Sequence, residues 1–301
     1  MNFLLDLIKG VFVGVANVIP GVSGGTMAVS FGIYDKLLSA IANLFRDFKK
    51  SVKTLLPIAI GMVIGIGGFT FIIGWLLENQ PFVTSMAFTG LILGGVPAIF
   101  NSYKEGWSRD EHKSAVLNLI LFVIFAAIVI GMLFLNGDEN SGVLLNPDLS
   151  TIITVFFMGI IASATMIIPG VSGSLILMIL GYYFGILSAV KDFITALKNL
   201  DINAMLSQCA ILVPFAIGCV IGIFGLAKLI RWLFEKCASA TYAAISGLII
   251  ASPFSIFYKV SQDYSMSGTG AVQIIIGIIA LAVCAGITIM LGNMETEESE
   301  S

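Results

Sequence analysis

Apolar residues gather into ten runs bounded by charged residues, at about 3–18, 25–45, 54–77, 82–100, 114–136, 152–168, 173–197, 206–234, 239–258 and 271–292. A helix crosses the hydrocarbon core of a bilayer with about 20 residues at about 1.5 Å each, and most of the ten are long enough. The first is marginal, because Asp6 and Lys9 interrupt it. It has the outline of a signal peptide, yet its closing motif recurs in the middle of the chain, where no signal peptide can lie.

That recurrence is extensive. Residues 10–41 match 159–190 without a gap at an offset of 149, including IPGVSG at Ile19 to Gly24 and again at Ile168 to Gly173. At an offset of 157, Pro57 to Glu78 then aligns with Pro214 to Glu235, and Thr84 to Phe100 with Thr241 to Phe257. The pattern predicts a tandem duplication of a five-segment unit. Five is odd, so the second unit enters the membrane from the face opposite to the first, whether each leading pair of segments crosses fully or forms a re-entrant hairpin. Loop charges point the same way. One face carries Lys9, Arg46, Lys49, Lys50, Lys53, Lys104, Arg109, Lys113, Lys228, Arg231 and Lys236, whereas the other carries Lys191, Lys198 and Lys259. This asymmetry predicts a multi-pass protein of the cell (cytoplasmic) membrane with both termini in the cytoplasm.

The fold class expected is an all-α polytopic membrane protein of two inverted-topology repeats, each a broken-helix, re-entrant hairpin followed by three transmembrane helices. The expected divisions are 1–145, 146–293, and a disordered acidic cytoplasmic tail, 294–301. Composition agrees: 58% of the 301 residues are hydrophobic and 11% charged, against about 25% charged in soluble domains. A soluble enzyme and a secreted disulfide scaffold are excluded. A net charge of -3 offers no basic patch to nucleic acid. Cys209, Cys219, Cys237 and Cys284 stand singly, without CxxC spacing, and read as small hydrophobes; no metal or cofactor is expected.

Pro20-Gly21 and Pro169-Gly170 interrupt apolar runs, and proline removes a backbone donor and clashes with the preceding turn. The helix stops there, and Ser23 or Gly24, and Ser172 or Gly173, can cap a new one. A helix restarting inside a membrane leaves N–H groups that cannot face lipid. They face protein, water or a ligand, and the positive helix end favours an anion. Glycines 21, 24 and 25 would let a phosphate oxygen approach the backbone. In inverted-repeat transporters such breaks form the substrate site. A bland alternative is that proline and glycine only kink and pack the helices. The pairing of the motif, with hydroxyls at Ser23, Thr26, Ser172 and Ser174, favours a binding role. Gly21 to Gly25 also fits the GxSxG nucleophile elbow, but Ser174 breaks it in the second copy and His112, the single histidine, lies in a charged loop. The serines read as hydrogen-bond donors, not nucleophiles.

Charges near the segments are few. Glu78 and Glu235 match across the repeats, each three residues after a tryptophan, and suit gating or proton coupling as well as interfacial anchoring. Lys228 and Arg231 have no counterpart, their partners being Phe71 and Gly74; they could contact an anionic headgroup or snorkel. Asp35 and Lys36 are at best supporting or interfacial residues.

ANVIPGVSGGT (Ala16 to Thr26) with GIYDKL (Gly32 to Leu37), and IIPGVSGS (Ile167 to Ser174) with LGYY (Leu180 to Tyr183), resemble the PopT-type membrane family, formerly a domain of unknown function, over essentially the whole chain. The resemblance implies translocation of a polyprenyl phosphate, in bacteria undecaprenyl phosphate, from the outer to the inner leaflet, recycling the lipid carrier of cell-envelope synthesis. It implies substrate contacts at Pro20, Gly21, Ser23, Gly24, Gly25 and Thr26 and at Pro169, Gly170, Ser172, Gly173 and Ser174. Asn17 is added as a neighbouring contact, where many members have Asp, a departure that weakens a mechanism needing a carboxylate there. The partners expected are a lipid phosphate and the bilayer, with coupling to protons or sodium open. An inorganic-anion channel or exchanger is the competing reading; an intramembrane hydrolase lacks a membrane histidine and a carboxylate metal pair.

Overall fold

A computed structural model describes residues 3–19, 21–110, 114–135, 145, 147–266 and 269–300, with the backbone alone for 295–300. Pro20 and His112 lie outside the described residues. The described residues are helical and contain no strand. The helices are α1 (Phe3–Ala16), α2 (Gly24–Ser30), α3 (Tyr34–Ala42), α4 (Phe48–Asn79), α5 (Pro81–Leu93), α6 (Val96–Arg109), α7 (Ala115–Met132), α8 (Leu149–Ile167), α9 (Gly173–Ile179), α10 (Tyr183–Lys198), α11 (Ile202–Lys236), α12 (Ala238–Asp263) and α13 (Ala271–Glu300).

Seven helices among the described residues are long and apolar enough to cross a membrane: α4, α5 with α6, α7, α8, α11, α12 and α13. The protein is a multi-pass membrane protein. An eighth crossing arises if α9 and α10, bent by 108° where they meet, count as one span. Where the sequence offers ten runs, α1 has only 14 residues, and α2 and α3 have 7 and 9. α13 remains helical to Glu300, where a disordered tail is expected from its charge. Glutamate is a good helix former, and the membrane helix supplies the nucleus on which those residues propagate.

Elements recur at matched positions. α2 and α9 start and end at the same offset of 149, and α4 and α11 both end at an offset of 157. Glycines in the left-handed region also fall in matched pairs, Gly21 (φ 82°) with Gly170 (φ 75°), and Gly32 (φ 74°) with Gly181 (φ 78°). Such φ values penalise a side chain, so both copies place a turn that favours glycine at the same two points.

The chain divides into two compact units, 1–134 with 228–301, and 135–227. In the first, α1 crosses α4 through glycines: a Cβ on Gly10 or Gly14 would strike the backbone of Ile58 or Met62, and one on Gly61 or Gly65 that of Leu7 or Val11. Small residues let membrane helices approach closely where no hydrophobic drive exists between them and lipid. Also in this unit, Gly90 of α5 lies against Leu281 of α13, and its repeat counterpart Gly247 of α12 lies against Phe122 of α7. Met27, Phe31, Ile33, Ile58 and Ile92 are fully buried there. In the second unit α8 meets α11 by the same device, Gly159 against Phe215, and Gly218 and Gly222 against Phe156 and Ile160. Its core holds Val155, Ala162, Leu177, Ile186, Ala189 and Ile211. Asp148 starts α8 by accepting the Thr151 N–H at 2.7 Å.

Candidate functional site

Each PGVSG segment lies between an apolar helix, α1 or α8, and a seven-residue one. In the first unit α1 ends at Ala16, loose turns follow, Gly21 takes its positive φ, and Ser23 caps α2. The Ser23 hydroxyl oxygen accepts the Thr26 N–H at 3.1 Å and lies 3.0 Å from the Thr26 hydroxyl. Asn17 donates from its amide to the Val13 carbonyl (2.9 Å), and that amide covers Gly24 so closely that a Cβ there would lie 2.6 Å from Asn17 Nδ2. A Cβ on Gly21 would lie 2.8 Å from the Ser255 carbonyl oxygen of α12. Gly21, Ser23, Gly24 and Gly25 are half-buried, whereas Thr26 is fully enclosed. In the second unit Pro169 is buried after α8 stops, Gly170 turns, and Ser172 caps α9, accepting the Leu175 N–H at 3.5 Å. Ser172 and Ser174 are exposed, their hydroxyls 2.8 Å apart. A Cβ on Gly173 would collide with the Ala162 carbonyl. Both copies share a turn glycine, a serine cap and a closely packed glycine, Gly24 against the Asn17 side chain and Gly173 against α8, with extra hydroxyls at Thr26 and Ser174.

The charged candidates separate. Lys228, Arg231 and Glu235 come together at the end of α11, where Arg231 Nε donates to Glu235 Oε1 at 3.1 Å. They line a cleft of about 420 Å³ with Asn43, Phe45 and Trp232, and Arg46 adds a third cation from the end of α3. Arg46 looked like one more loop charge in the sequence, because nothing local ties it to a helix about 180 residues away. Glu78 is exposed at the end of α4 and lines neither this cleft nor the larger one beside it. That larger cavity, about 840 Å³, is lined by Asp35, Glu105, Arg109, Asp110, Arg231, Lys236 and Tyr242 among others. Tyr242 donates its hydroxyl proton to Asp35 at 2.7 Å. Asp110 accepts the N–H groups of Ala238 (3.1 Å) and Ser239 (2.8 Å) and the Ser239 hydroxyl, capping α12 from the end of α6.

One cluster was not singled out from the sequence. Asp6 and Lys9, the residues that make the first segment marginal, are 1% and 0% exposed. Lys36 Nζ donates to Asp6 Oδ1 at 2.6 Å. The partners are 30 residues apart, and pairing them requires the reversals at Gly21 and Gly32. Among the described residues no group of three His, Cys, Asp or Glu side chains could hold a metal ion.

Comparison with known proteins bears on what this arrangement serves. The chain is 29% identical over 287 residues to a protein of Staphylococcus aureus named polyprenyl-phosphate transporter, covering 94% of this chain and 96% of that one. It is 32% identical over 285 residues to a Vibrio cholerae protein of the same name, covering 90% and 83%. No solved structure matches significantly. Residues 13–274, which contain both PGVSG motifs and Lys228, Arg231 and Glu235, match the model of the VCA0040-like family, described as undecaprenyl phosphate translocase-like, and the chain belongs to that family.

Proposed function

We propose that this protein moves a polyprenyl phosphate, undecaprenyl phosphate in bacteria, from the outer to the inner leaflet of the cytoplasmic membrane, returning the lipid carrier for reuse. The observation that carries the reading is the duplicated break: two serine-capped turns at matched positions, each followed by a seven-residue helix. The relatives named polyprenyl-phosphate transporter support the substrate class. A phosphate monoester carries a charge of about -1.5 to -2 and takes hydroxyl and backbone donors, while its tail stays in lipid. Asn17, Pro20, Gly21, Ser23, Gly24, Gly25 and Thr26 are the headgroup contacts of the first repeat, and Pro169, Gly170, Ser172, Gly173 and Ser174 those of the second. The serines bind and do not attack, so the protein acts as a transporter, not an enzyme.

The repeats, 1–145 and 146–293, are inverted in this reading. Two features support it: the odd number of segments, and the reciprocal contacts of α5 with α13 and α12 with α7. α12 is the counterpart of α5, and α13 of α7. Exchanging the repeats thus converts one contact into the other, as a two-fold axis requires. A 14-residue α1 spans about 21 Å, short of the roughly 30 Å hydrocarbon core, and the Asp6–Lys36 pair brings α3 back beside the start of α1. Both favour a re-entrant hairpin. The termini are cytoplasmic, Lys228 and Arg231 receive the headgroup there, and Glu78 and Glu235 gate the two faces, coupled to protons or sodium. Transport into proteoliposomes tests the reading: a short-chain polyprenyl phosphate should cross and chloride should not. Chloride flux without lipid transport would replace the reading with an anion channel.

A further inference from the structure

The entry into α4 carries a charge cluster outside the break motifs. Between positions 46 and 53 stand Arg46, Lys49, Lys50 and Lys53 against Asp47 alone, and all five are exposed. Phe45 and Phe48 lie among them, 79% and 64% exposed. The helix that follows has two faces. Ser51, Thr54, Ile58, Gly61 and Gly65 are buried, on the side where Gly61 and Gly65 meet α1. Lys49 and Lys53 fall on the opposite side, in line with Leu56, Ile60 and Ile64 at steps of three and four residues. Those three apolar side chains are exposed, and α4 is long and apolar enough to cross a membrane. The stripe therefore faces lipid, and the two lysines continue it past the end of the apolar run.

Length fixes their depth. From Thr54 to Leu77 the helix is uncharged over about 36 Å, slightly more than the roughly 30 Å hydrocarbon core. Lys53 stands at the edge of that core and Lys49 about 6 Å farther out, at headgroup depth. Aromatic rings mark the same level: the cleft that Arg46 lines also has Phe45 and Trp232 in its wall, and tryptophan is enriched where a bilayer meets water. The second repeat has nothing like the cluster. At the offset of 157 that matches the ends of α4 and α11, Lys49, Lys50 and Lys53 correspond to Leu206, Ser207 and Ala210. The long helix forms there without cations at its start, so the lysines of α4 serve something besides the helix.

We propose that Lys49, Lys50 and Lys53, flanked by Arg46 and the two phenylalanines, form a docking surface for anionic phospholipids in the leaflet at that end of α4. The chemistry recognised is a phosphodiester whose negative charge no ammonium group of the same lipid offsets. Its oxygens accept charge-assisted hydrogen bonds from the lysines, whose stems reach along the apolar surface to headgroup level, while the acyl chains lie along Leu56, Ile60 and Ile64. A basic cluster of this size beside a membrane helix attracts anionic lipid by about fivefold per cation. Polyprenyl phosphate has no part in this surface, so the proposal stands or falls apart from the transport function.

The full chain in nanodiscs of equal parts phosphatidylglycerol and phosphatidylcholine tests this with no polyprenyl phosphate present. Lipid retained on extraction into detergent, counted by mass spectrometry, should favour phosphatidylglycerol in wild type. The exposed triple variant Lys49→Gln/Lys50→Gln/Lys53→Gln should lower that preference by about fivefold or more. Arg46 stays in place because it lines the cleft given to the substrate headgroup. Wild-type preference should also fade between about 0.1 M and about 1 M salt, as the screening length falls from about 10 Å to about 3 Å. Equal retention of both lipids by wild type, or an unchanged preference in the triple variant, would overturn the proposal and leave the cluster to a protein partner. Should the triple variant not fold, the salt series on wild type decides: a preference that survives the higher salt is not electrostatic docking, and the proposal fails.

Discussion

Ser23 and Ser172 each accept a backbone N–H at the start of a seven-residue helix, and each shares a contact with a second hydroxyl, that of Thr26 or Ser174. Alanine at either position should lower headgroup affinity by about 1 to 3 kcal/mol, the range for hydrogen bonds involving charge, in a titration with polyprenyl phosphate. A fluorophosphonate probe should leave both serines unlabelled, and covalent labelling of Ser23 would return the nucleophile to consideration. Gly21 tests the turn itself. Alanine there meets a φ of 82° and the Ser255 carbonyl together, and should destabilise the first unit by about 1 to 2 kcal/mol from backbone strain alone, seen as a lower melting temperature. These positions were legible in the sequence because a motif written twice needs no structure to stand out. The Asp6–Lys36 pair was not legible: its members are 30 residues apart, and each alone reads as an interfacial charge.

At the scale of helices, capping decides where two spans begin, and the sequence marks one cap more clearly than the other. Asp148 precedes α8 directly, the usual signature, and the Thr151 N–H holds its carboxyl below the ordinary carboxylate range. A carboxyl lowered on folding stabilises above its unfolded pKa, about 3.9, and that contribution fades as pH falls through the lower folded value. Amide exchange in the first turn of α8 should therefore be slower in wild type than in Asp148→Ala above about pH 4, with the gap narrowing in more acid solution. A constant gap would leave the Asp148 charge with no part in the cap. Asp110 caps α12 from 128 positions away in the chain, which no local pattern announces. Glycines at the crossings were visible as letters, but their contacts were not. Gly61 faces Leu7 and Val11, so leucine there should separate α1 from α4 and abolish stable expression, whereas leucine at Gly67, which has open space around it, should be tolerated.

For the molecule as a whole, the repeat was readable from sequence identity, while the reciprocal packing of α5 on α13 and α12 on α7 needed coordinates. The proposed inverted repeats together with the loop-charge asymmetry predict a C-terminus on the cytoplasmic side, and a cysteine appended there should resist impermeant maleimides in intact cells. If the repeats are exchanged by a two-fold axis, as proposed, the halves are equivalent and net direction has to come from where they differ. Lys228 and Arg231 replace the positions matched by Phe71 and Gly74, and the fold adds Arg46 to them in one cleft. Three cations against Glu235 would draw a headgroup that has passed the break motifs, whereas the equivalent place in the other repeat offers neither of the first two charges. Neutralising Lys228 and Arg231 together should slow inward delivery of polyprenyl phosphate by about tenfold, the scale of one charge-assisted contact, and leave capture at the outer face nearly unchanged. Sided flux in proteoliposomes measures both steps: an inward rate untouched by the double substitution would reduce Lys228 and Arg231 to interfacial anchors and leave direction to be set elsewhere.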